Sequence, residues 1–301
     1  MSVAWAAAAA AGIAGSALIG RQASGRRWEE RIRFRLPRNP DGTIVGAEAI
    51  TRTGGDCAVL LLHGFGDTPQ SLAELSAFLH ACGWTVRVPL LPGHGRSLRE
   101  FARSGADDWI GCATNEYDAL LERHSTVAVV GQSMGGAMAM LLAAQRREVS
   151  ALVLLAPYFT LMPKVARIAR YHRLVSVFMA YVQGRAEGSI RDPDERAKSL
   201  GYGVTSPRLL NELSRVARRA REAAPAVRAP TLMIQSRADN RISMADAEAS
   251  FARLGGRPRE LHWTDGNAHV ISVDYGRQVV FERTASWLDR FGRQTFARSP
   301  T

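Results

Sequence analysis

Cysteine is scarce in this sequence of 301 residues, which contains only Cys57, Cys82 and Cys112. An odd number of cysteines does not support a disulfide framework, and we expect three reduced thiols in or near the core. The sequence also lacks Cys-x-x-Cys and His-Glu-x-x-His, the spacings from which many zinc sites are built. We therefore predict neither a metal ion nor another cofactor.

Lysine is almost absent, since only Lys164 and Lys198 are lysines among the 39 cationic residues. The formal net charge of +11 is concentrated in two segments, with +5 on residues 21–38 and +8 on residues 157–230. Clustered cations favour an anionic partner such as lipid headgroups. No nucleic-acid recognition motif is present, so we predict no nucleic-acid partner. A general preference for arginine explains the residue type but explains the clustering less well.

The N-terminal residues 1–27 combine an apolar segment with a basic tether. Val3 to Gly20 carries no charge and as a helix would span about 27 Å, slightly short of a roughly 30 Å hydrocarbon core. Three interpretations stay open: an uncleaved membrane anchor, a cleaved signal peptide that leads to export, and a soluble alanine-rich helix. As an anchor followed by arginines, the segment would leave the rest of the chain facing the cytoplasm.

Apolar runs typical of buried parallel strands alternate with helical stretches along most of the chain. This alternation predicts an α/β fold with a mostly parallel, doubly wound sheet. Near the start, the period-2 alternation of Arg31 to Leu36 predicts a half-buried strand. The predicted strands of the sheet are Cys57 to Leu62, Thr85 to Leu91, Thr126 to Val130, Ala151 to Leu155, Thr231 to Gln235 and Arg259 to Trp263.

The alternation stops in residues 157–230, which read as helix only and are too long for a simple connection. We predict a helical cap here, inserted between two strands of the sheet. The cap divides the core into residues 28–156 and 231–293, and residues 294–301 form a tail. A predicted helical stretch from Lys164 to Val182 has cations on one side and an apolar remainder. That remainder either packs on the sheet or forms an acyl-binding wall, with the cations facing an interface.

The strand Thr126 to Val130 runs directly into Gly131-Gln132-Ser133-Met134-Gly135 and then into a helix-forming stretch. A strand, Gly-x-Ser-x-Gly and a helix in this order predict a nucleophile elbow, the turn that exposes the catalytic serine of α/β-hydrolases. Small residues are needed on both sides of the strained serine. We therefore predict Ser133 as the nucleophile and the Met134 amide as a donor to the oxyanion.

A serine hydroxyl needs a histidine base, and the histidine needs an acid, in the chain order Ser, acid, His. His269 follows the last predicted strand, where a loop can place an imidazole over the elbow. The predicted acid is Asp239, in the loop after the strand Thr231 to Gln235. Asp265 is the alternative acid, and His262 is interpreted as a structural residue of a strand.

The second donor to the oxyanion should come from the loop after the first buried strand, where the sequence reads His63-Gly64-Phe65-Gly66. The two flexible glycines make the Phe65 amide the candidate donor. His63 is interpreted as structural.

Six segments resemble the bacterial carboxylesterase and monoacylglycerol lipase branch of the α/β-hydrolases: LLLHGFGDTPQS, VPLLPGHGRS, GADDW, VVGQSMGG, PTLMIQSRADNRIS and GNAHVIS. The resemblance extends from about Val59 to Phe291. It implies Ser133, Asp239 and His269 as the triad, an oxyanion hole from Phe65 and Met134, and hydrolysis of carboxylic esters through an acyl-enzyme.

The N-terminal apolar segment and the Arg-rich cap depart from the soluble members of that branch. They favour a lipid ester at a membrane surface, either a monoacylglycerol or a phospholipid. The alternatives are a soluble-type carboxylesterase on short acyl esters, another chemistry of the same fold such as carbon–carbon bond hydrolysis, and a non-enzymatic module that binds membranes. The oligomeric state stays open.

Overall fold

A computed structural model describes residues 3–184 and 188–294, with side chains from residue 18 onward. Its centre is a seven-stranded sheet in the order β1-β3-β2-β4-β5-β8-β9, in which only β1 is antiparallel to its neighbour. The strands of this sheet are β1 Ile50–Arg52, β2 Cys57–Leu62, β3 Thr85–Val88, β4 Thr126–Gln132, β5 Val149–Leu155, β8 Thr231–Ser236 and β9 Arg259–Thr264. The predicted fold class, a mostly parallel doubly wound sheet, is confirmed.

Helices cover both faces of the sheet. The helices outside the β5–β8 connection are α1 Val3–Arg35, α2 Ala73–Ala81, α3 Leu98–Arg103, α4 Ala106–Leu121, α5 Met134–Gln145, α10 Met244–Ala252 and α11 Arg277–Trp287. Alternate residues of each central strand enter different cores: Leu60 and Leu62 pack with α4 and α5, whereas Val59 and Leu61 pack with α2 and α11. This explains why the central strands are continuous apolar runs, since both of their faces are buried.

Between β5 and β8 the chain leaves the sheet and forms mainly helix. The elements of this segment are α6 Pro163–Arg170, α7 His172–Phe178, β6 Val182–Gln183, α8 Pro193–Lys198, β7 Val204–Thr205 and α9 Pro207–Ala223. The stretch predicted as helical from Lys164 to Val182 is interrupted at Tyr171 and ends at Phe178. The longest helix of this segment, α9, packs against α5 and against α6 and α7, so it joins the segment to the sheet. We call residues 157–230 the cap segment.

The predicted strand at Arg31 to Leu36 is wrong, because helix α1 continues to Arg35 and Leu36 directly follows it. Ile32 and Leu36 are buried, at 2% and 3% exposure, but Phe34 is 94% exposed. Burial therefore recurs every three or four residues, as Gly25 and Trp28 also indicate, and not every second residue. A period of 2 and a period of 3.6 both place Ile32 and Leu36 on the same face. These six residues therefore do not distinguish a strand from a helix, and only the residues before them do.

In the part of the chain that the structure describes, no helix combines the length and the apolarity needed to cross a membrane. The side chains of the predicted apolar segment up to residue 17 lie outside the described ones. The predicted tail also lies outside the description, except for Gln294.

Candidate active site

Ser133 occupies a sharp turn between β4 and α5. Its backbone lies at φ 55° and ψ −118°, a conformation that non-glycine residues rarely adopt. A Cβ on either Gly131 or Gly135 would lie closer than 3.0 Å to a backbone carbonyl, so both positions require glycine. The Ser133 amide donates a hydrogen bond of 2.9 Å to the carbonyl of Leu155, at the end of β5. The structure thus contains the strained serine turn that the sequence predicts.

The structure brings Ser133, His269 and Asp239 together in one chain of hydrogen bonds. The distance from Ser133 Oγ to His269 Nε2 is 2.8 Å, and the distance from His269 Nδ1 to Asp239 Oδ2 is 2.9 Å. His269 and Asp239 come from the loops after β9 and β8, at the same edge of the sheet as the serine turn. Both side chains are almost fully buried. In this arrangement Nδ1 donates to the carboxylate and Nε2 is left to accept the serine proton.

The loop after β8 surrounds the Asp239 carboxylate with donors. Oδ1 accepts hydrogen bonds from the amides of Arg241, at 2.7 Å, and Ile242, at 3.0 Å, and Oδ2 accepts one of 2.7 Å from Gln235 Nε2. Burial by itself raises the pKa of Asp239, but the charge and hydrogen bond of His269 and the two amides outweigh it, so the pKa lies below its ordinary value. Asp239 is therefore ionised at neutral pH.

The alternative acid, Asp265, lies elsewhere. Its side chain is 80% exposed and forms an ion pair of 3.6 Å with Arg237. His262 lies on β9, where its ring is only partly buried. The structure brings neither residue into the Ser133–His269–Asp239 chain.

Phe65 and Met134, the two predicted oxyanion donors, flank the serine. Within the described residues, neither amide N–H donates to a protein acceptor. A Cβ on Gly64 would lie 3.4 Å from Cβ of Ser133. Residues 63–66, which we call the Phe65 loop, therefore approach the serine closely. Two unused amides beside a partly exposed serine hydroxyl can stabilise a negative charge that develops there.

His63 is buried under the Phe65 loop as a neutral ring. Its Nε2 accepts a hydrogen bond of 3.2 Å from the Leu91 amide, so Nδ1 carries the hydrogen and donates to the carbonyl of Gly64 at 3.0 Å. Burial lowers the pKa of His63 to about 4, although the Gly64 carbonyl opposes this shift. This geometry agrees with the structural interpretation of His63.

Two residues near the triad were not singled out from the sequence. Gln235 is the donor to Asp239 described above, and the available signal was a polar residue inside the apolar run of β8. Asp67 follows the Phe65 loop, and burial raises its pKa to about 6, with smaller opposing effects from Ser71, Thr68 and His269. No sequence pattern distinguishes Asp67 from an ordinary loop aspartate.

Among residues 3–184 and 188–294, no three His, Cys, Asp or Glu side chains are placed where they could hold a metal ion. The three cysteines carry free thiols.

The strand order and the serine turn define the α/β-hydrolase class. A family model described as "Serine aminopeptidase, S33" (Hydrolase_4) matches residues 55–275. The match covers more than half of the chain, and the chain belongs to this family.

Curated relatives and solved structures agree with this assignment. The chain is 26% identical over 248 residues to a thermostable monoacylglycerol lipase of Bacillus sp. (strain H-257), covering 80% of this chain and 94% of the relative. It is 26% identical over 251 residues to a carboxylesterase of Bacillus subtilis (strain 168), covering 82% and 98%. A solved structure reported under "LipS and LipT, two metagenome-derived lipolytic enzymes" superposes with a TM-score of 0.74 at 28% identity, covering 81% of this chain and 98% of that one. The predicted enzyme class, a carboxylic-ester hydrolase, and the predicted branch of the superfamily are confirmed.

Proposed function

We propose that the chain hydrolyses esters by nucleophilic catalysis, with Ser133 as nucleophile, His269 as general base and Asp239 as the acid that orients the base. The observation that carries this proposal is the unbroken chain of hydrogen bonds from Ser133 Oγ through both ring nitrogens of His269 to the Asp239 carboxylate. Because Asp239 is ionised and buried, it stabilises the imidazolium that forms when His269 takes a proton.

The proposed reaction has two stages, acylation of Ser133 and hydrolysis of the acyl-enzyme. His269 Nε2 takes the hydroxyl proton as Ser133 Oγ forms a bond to the ester carbonyl carbon, and the amides of Phe65 and Met134 donate to the resulting oxyanion. His269 then gives its proton to the leaving alcohol as the carbon–oxygen ester bond breaks. His269 then takes a proton from a water molecule as the water oxygen bonds to the acyl carbon. When the bond from that carbon to Ser133 Oγ breaks, His269 returns the proton to Oγ and the carboxylic acid leaves.

For the substrate we propose a lipid ester, either a monoacylglycerol or a phospholipid. The named activities of the relatives, monoacylglycerol lipase and carboxylesterase, support an acyl ester of this kind. The cap segment begins at the site itself, because the Tyr158 amide donates a hydrogen bond of 3.0 Å to the Ser133 carbonyl and the Tyr158 ring lies edge-on to His269. We therefore expect the first residues of the cap segment to form part of the wall that receives an acyl chain.

The cap segment also presents an unusual surface, which we call the basic-apolar surface. Large apolar side chains are exposed there, with Leu174 at 63%, and exposed cations lie among them. Within the described residues none of these cations forms an ion pair. An apolar patch bordered by cations fits the boundary between anionic headgroups and acyl chains. The basic-apolar surface consists of Lys164, Arg167, Arg170, Tyr171, Arg173, Leu174, Val177, Phe178 and Met179.

The substrate proposal is tested by measuring fatty-acid release from short p-nitrophenyl esters, micellar monoacylglycerol and phosphatidylglycerol vesicles, with Ser133→Ala as the blank. The proposal predicts faster release per enzyme from monoacylglycerol or phospholipid than from butyrate esters. Preference for the short soluble esters would contradict a lipid substrate and favour a soluble-type carboxylesterase. Vesicle binding with no ester turnover would favour a non-enzymatic membrane-binding module.

Membrane action is tested by reversing charges on the basic-apolar surface. Arg167→Glu/Arg170→Glu should weaken binding to phosphatidylglycerol vesicles and lower their hydrolysis, but should leave turnover of p-nitrophenyl butyrate unchanged. The matched control is Arg283→Glu/Arg290→Glu, which makes the same charge change in α11 and in the helical turn Leu288–Gly292 that follows it. Equal loss of vesicle binding in both variants would show that net charge alone explains the effect and would contradict a specific role for the basic-apolar surface. A truncation of residues 1–17 measures the contribution of the N-terminal segment separately.

A further inference from the structure

Asp274 is a fully buried carboxylate that binds only backbone amides in the described structure. Oδ2 accepts hydrogen bonds from the amides of Ala268, at 2.7 Å, and Arg191, at 2.9 Å. Oδ1 accepts hydrogen bonds from the amides of Asp192 and Tyr275, both at 2.9 Å. Four donors occupy the four sites that a carboxylate offers, and hydrogen bonds to a charged acceptor are the strong ones.

These four amides belong to two parts of the chain that are far apart in sequence. Ala268 and Tyr275 lie in the loop after β9, and Ala268 immediately precedes His269. Arg191 and Asp192 lie in the cap segment, at the start of α8. The Asp274 carboxylate therefore connects the cap segment to residues 265–275, the loop after β9 that carries His269 and that we call the histidine loop.

Ser189 makes a second junction beside the first. Its carbonyl accepts a hydrogen bond of 2.9 Å from the amide of Val270, the residue after His269. Its hydroxyl accepts one of 3.0 Å from Arg241 Nε, in the loop that holds Asp239. The short piece of cap from Ser189 to Asp192 thus contacts the loops of both the base and the acid.

We propose that Asp274 is a positioning residue that couples the place of His269 to the place of the cap segment. The inference rests on the proposed role of His269 as base. Asp274 does not hydrogen-bond to the imidazole and acts through the backbone on either side of it. When the cap segment is in place, Arg191 and Asp192 complete the carboxylate's coordination and the histidine loop is held. When the cap segment moves away, the amides of Arg191 and Asp192 no longer donate to the buried Asp274 carboxylate. The histidine loop is then held less firmly.

The test is Asp274→Asn, which keeps the size of the side chain but leaves one acceptor oxygen and turns an NH2 group toward amide donors. We expect kcat/KM on p-nitrophenyl butyrate to fall by about 10- to 100-fold, because a small displacement of the base costs that much. The rate constant for labelling of Ser133 by a small fluorophosphonate should fall by the same factor. A merely structural role would reduce the fraction of enzyme that is labelled and would leave the rate constant of the folded fraction unchanged.

Asp41→Asn is the matched control. Asp41 also accepts from a backbone amide, that of Thr43 at 3.0 Å, but in the turn after α1, and both rates should stay at the wild-type value. If Asp274→Asn folds and keeps both rates, the positioning role is wrong. If Ser133→Ala still hydrolyses the ester, the proposed function is wrong whatever Asp274→Asn does.

Hydrogen exchange in the wild-type chain keeps the proposal testable if Asp274→Asn does not fold. The amides of Arg191, Asp192, Ala268 and Tyr275 share one carboxylate, and we expect them to exchange with a common free energy of opening. Exchange of the two cap amides orders of magnitude faster than that of Ala268 would show that the cap and the histidine loop open independently, and would overturn the coupling.

Discussion

Gln235 donates a hydrogen bond of 2.7 Å from Nε2 to Oδ2 of Asp239, the same oxygen that faces His269. Gln235 is fully buried at the end of β8, and its Oε1 has no protein partner among the described residues. The hydrogen bond from the Gln235 side chain therefore restricts rotation of the Asp239 carboxylate.

Gln235→Leu removes this donor while filling a similar volume. We expect kcat to fall by about tenfold, because a hydrogen bond to a charged group is worth roughly 1.5–3 kcal/mol and its loss leaves Asp239 less well oriented. Steady-state kinetics on a short ester measure this. Gln278→Leu is the matched control, since it removes a similar bond to Glu282 on the exposed face of α11. An equal effect in both variants would rule out a role at the site.

Asp239→Asn and Asp265→Asn separate the two candidate acids. The first should lower kcat by roughly 10³- to 10⁴-fold with little loss of fold, because an amide cannot stabilise the imidazolium or hold its tautomer. The second should leave kcat unchanged, since Asp265 is exposed and paired with Arg237. Near-normal turnover of Asp239→Asn would show that another group orients His269.

Gly135→Ala tests the serine turn. The added Cβ would collide with backbone oxygens of β2 and the residue after it, which cannot move without disturbing the sheet. We expect a loss of about 3 kcal/mol or more in the free energy of unfolding, or no folded protein. Gly111→Ala, in the middle of α4 with nothing within 4 Å of the new Cβ, should instead stabilise by about 0.5–1 kcal/mol. Thermal or urea unfolding of both variants measures the contrast, and similar stabilities would contradict it.

His63 should make the fold sensitive to acid. Its pKa is about 4 in the folded chain and about 6.5 when unfolded. Between pH 6.5 and 4 the unfolded chain therefore binds a proton at His63 that the folded chain does not bind. The contribution of neutral His63 to the free energy of unfolding is fully present above pH 6.5 and is lost as the pH falls toward 4, by up to about 3 kcal/mol. Urea unfolding from pH 7 to 4 should give a shallower decline for His63→Gln than for wild type, and parallel curves would contradict this.

The central strands could be predicted to within a few residues because strands buried on both faces are apolar runs bounded by polar loops. The strand predicted at Arg31 to Leu36 failed because six residues do not separate a period of 2 from a period of 3.6. The helical period becomes visible only when Gly25 and Trp28 are included, and both pack against parts of the chain that are distant in sequence.

The residues that the structure brings together as Ser133, His269 and Asp239 were recognisable because each follows a strand in a fixed chain order. Gln235 and Asp274 were not recognisable in the same way. Their importance depends on which distant donors and acceptors the fold places beside them, and a polar residue inside an apolar stretch was the only local signal. Such residues are found from contacts, not from motifs.

The proposed mechanism requires a covalent intermediate on Ser133. The most direct measurement is rapid acid quenching of the enzyme during turnover of a p-nitrophenyl ester, followed by intact-mass analysis and peptide mapping. We expect an added acyl group on Ser133, a matching burst of p-nitrophenol, and the absence of both in Ser133→Ala. Turnover that persists in Ser133→Ala, or an acyl group mapped to another residue, would contradict it.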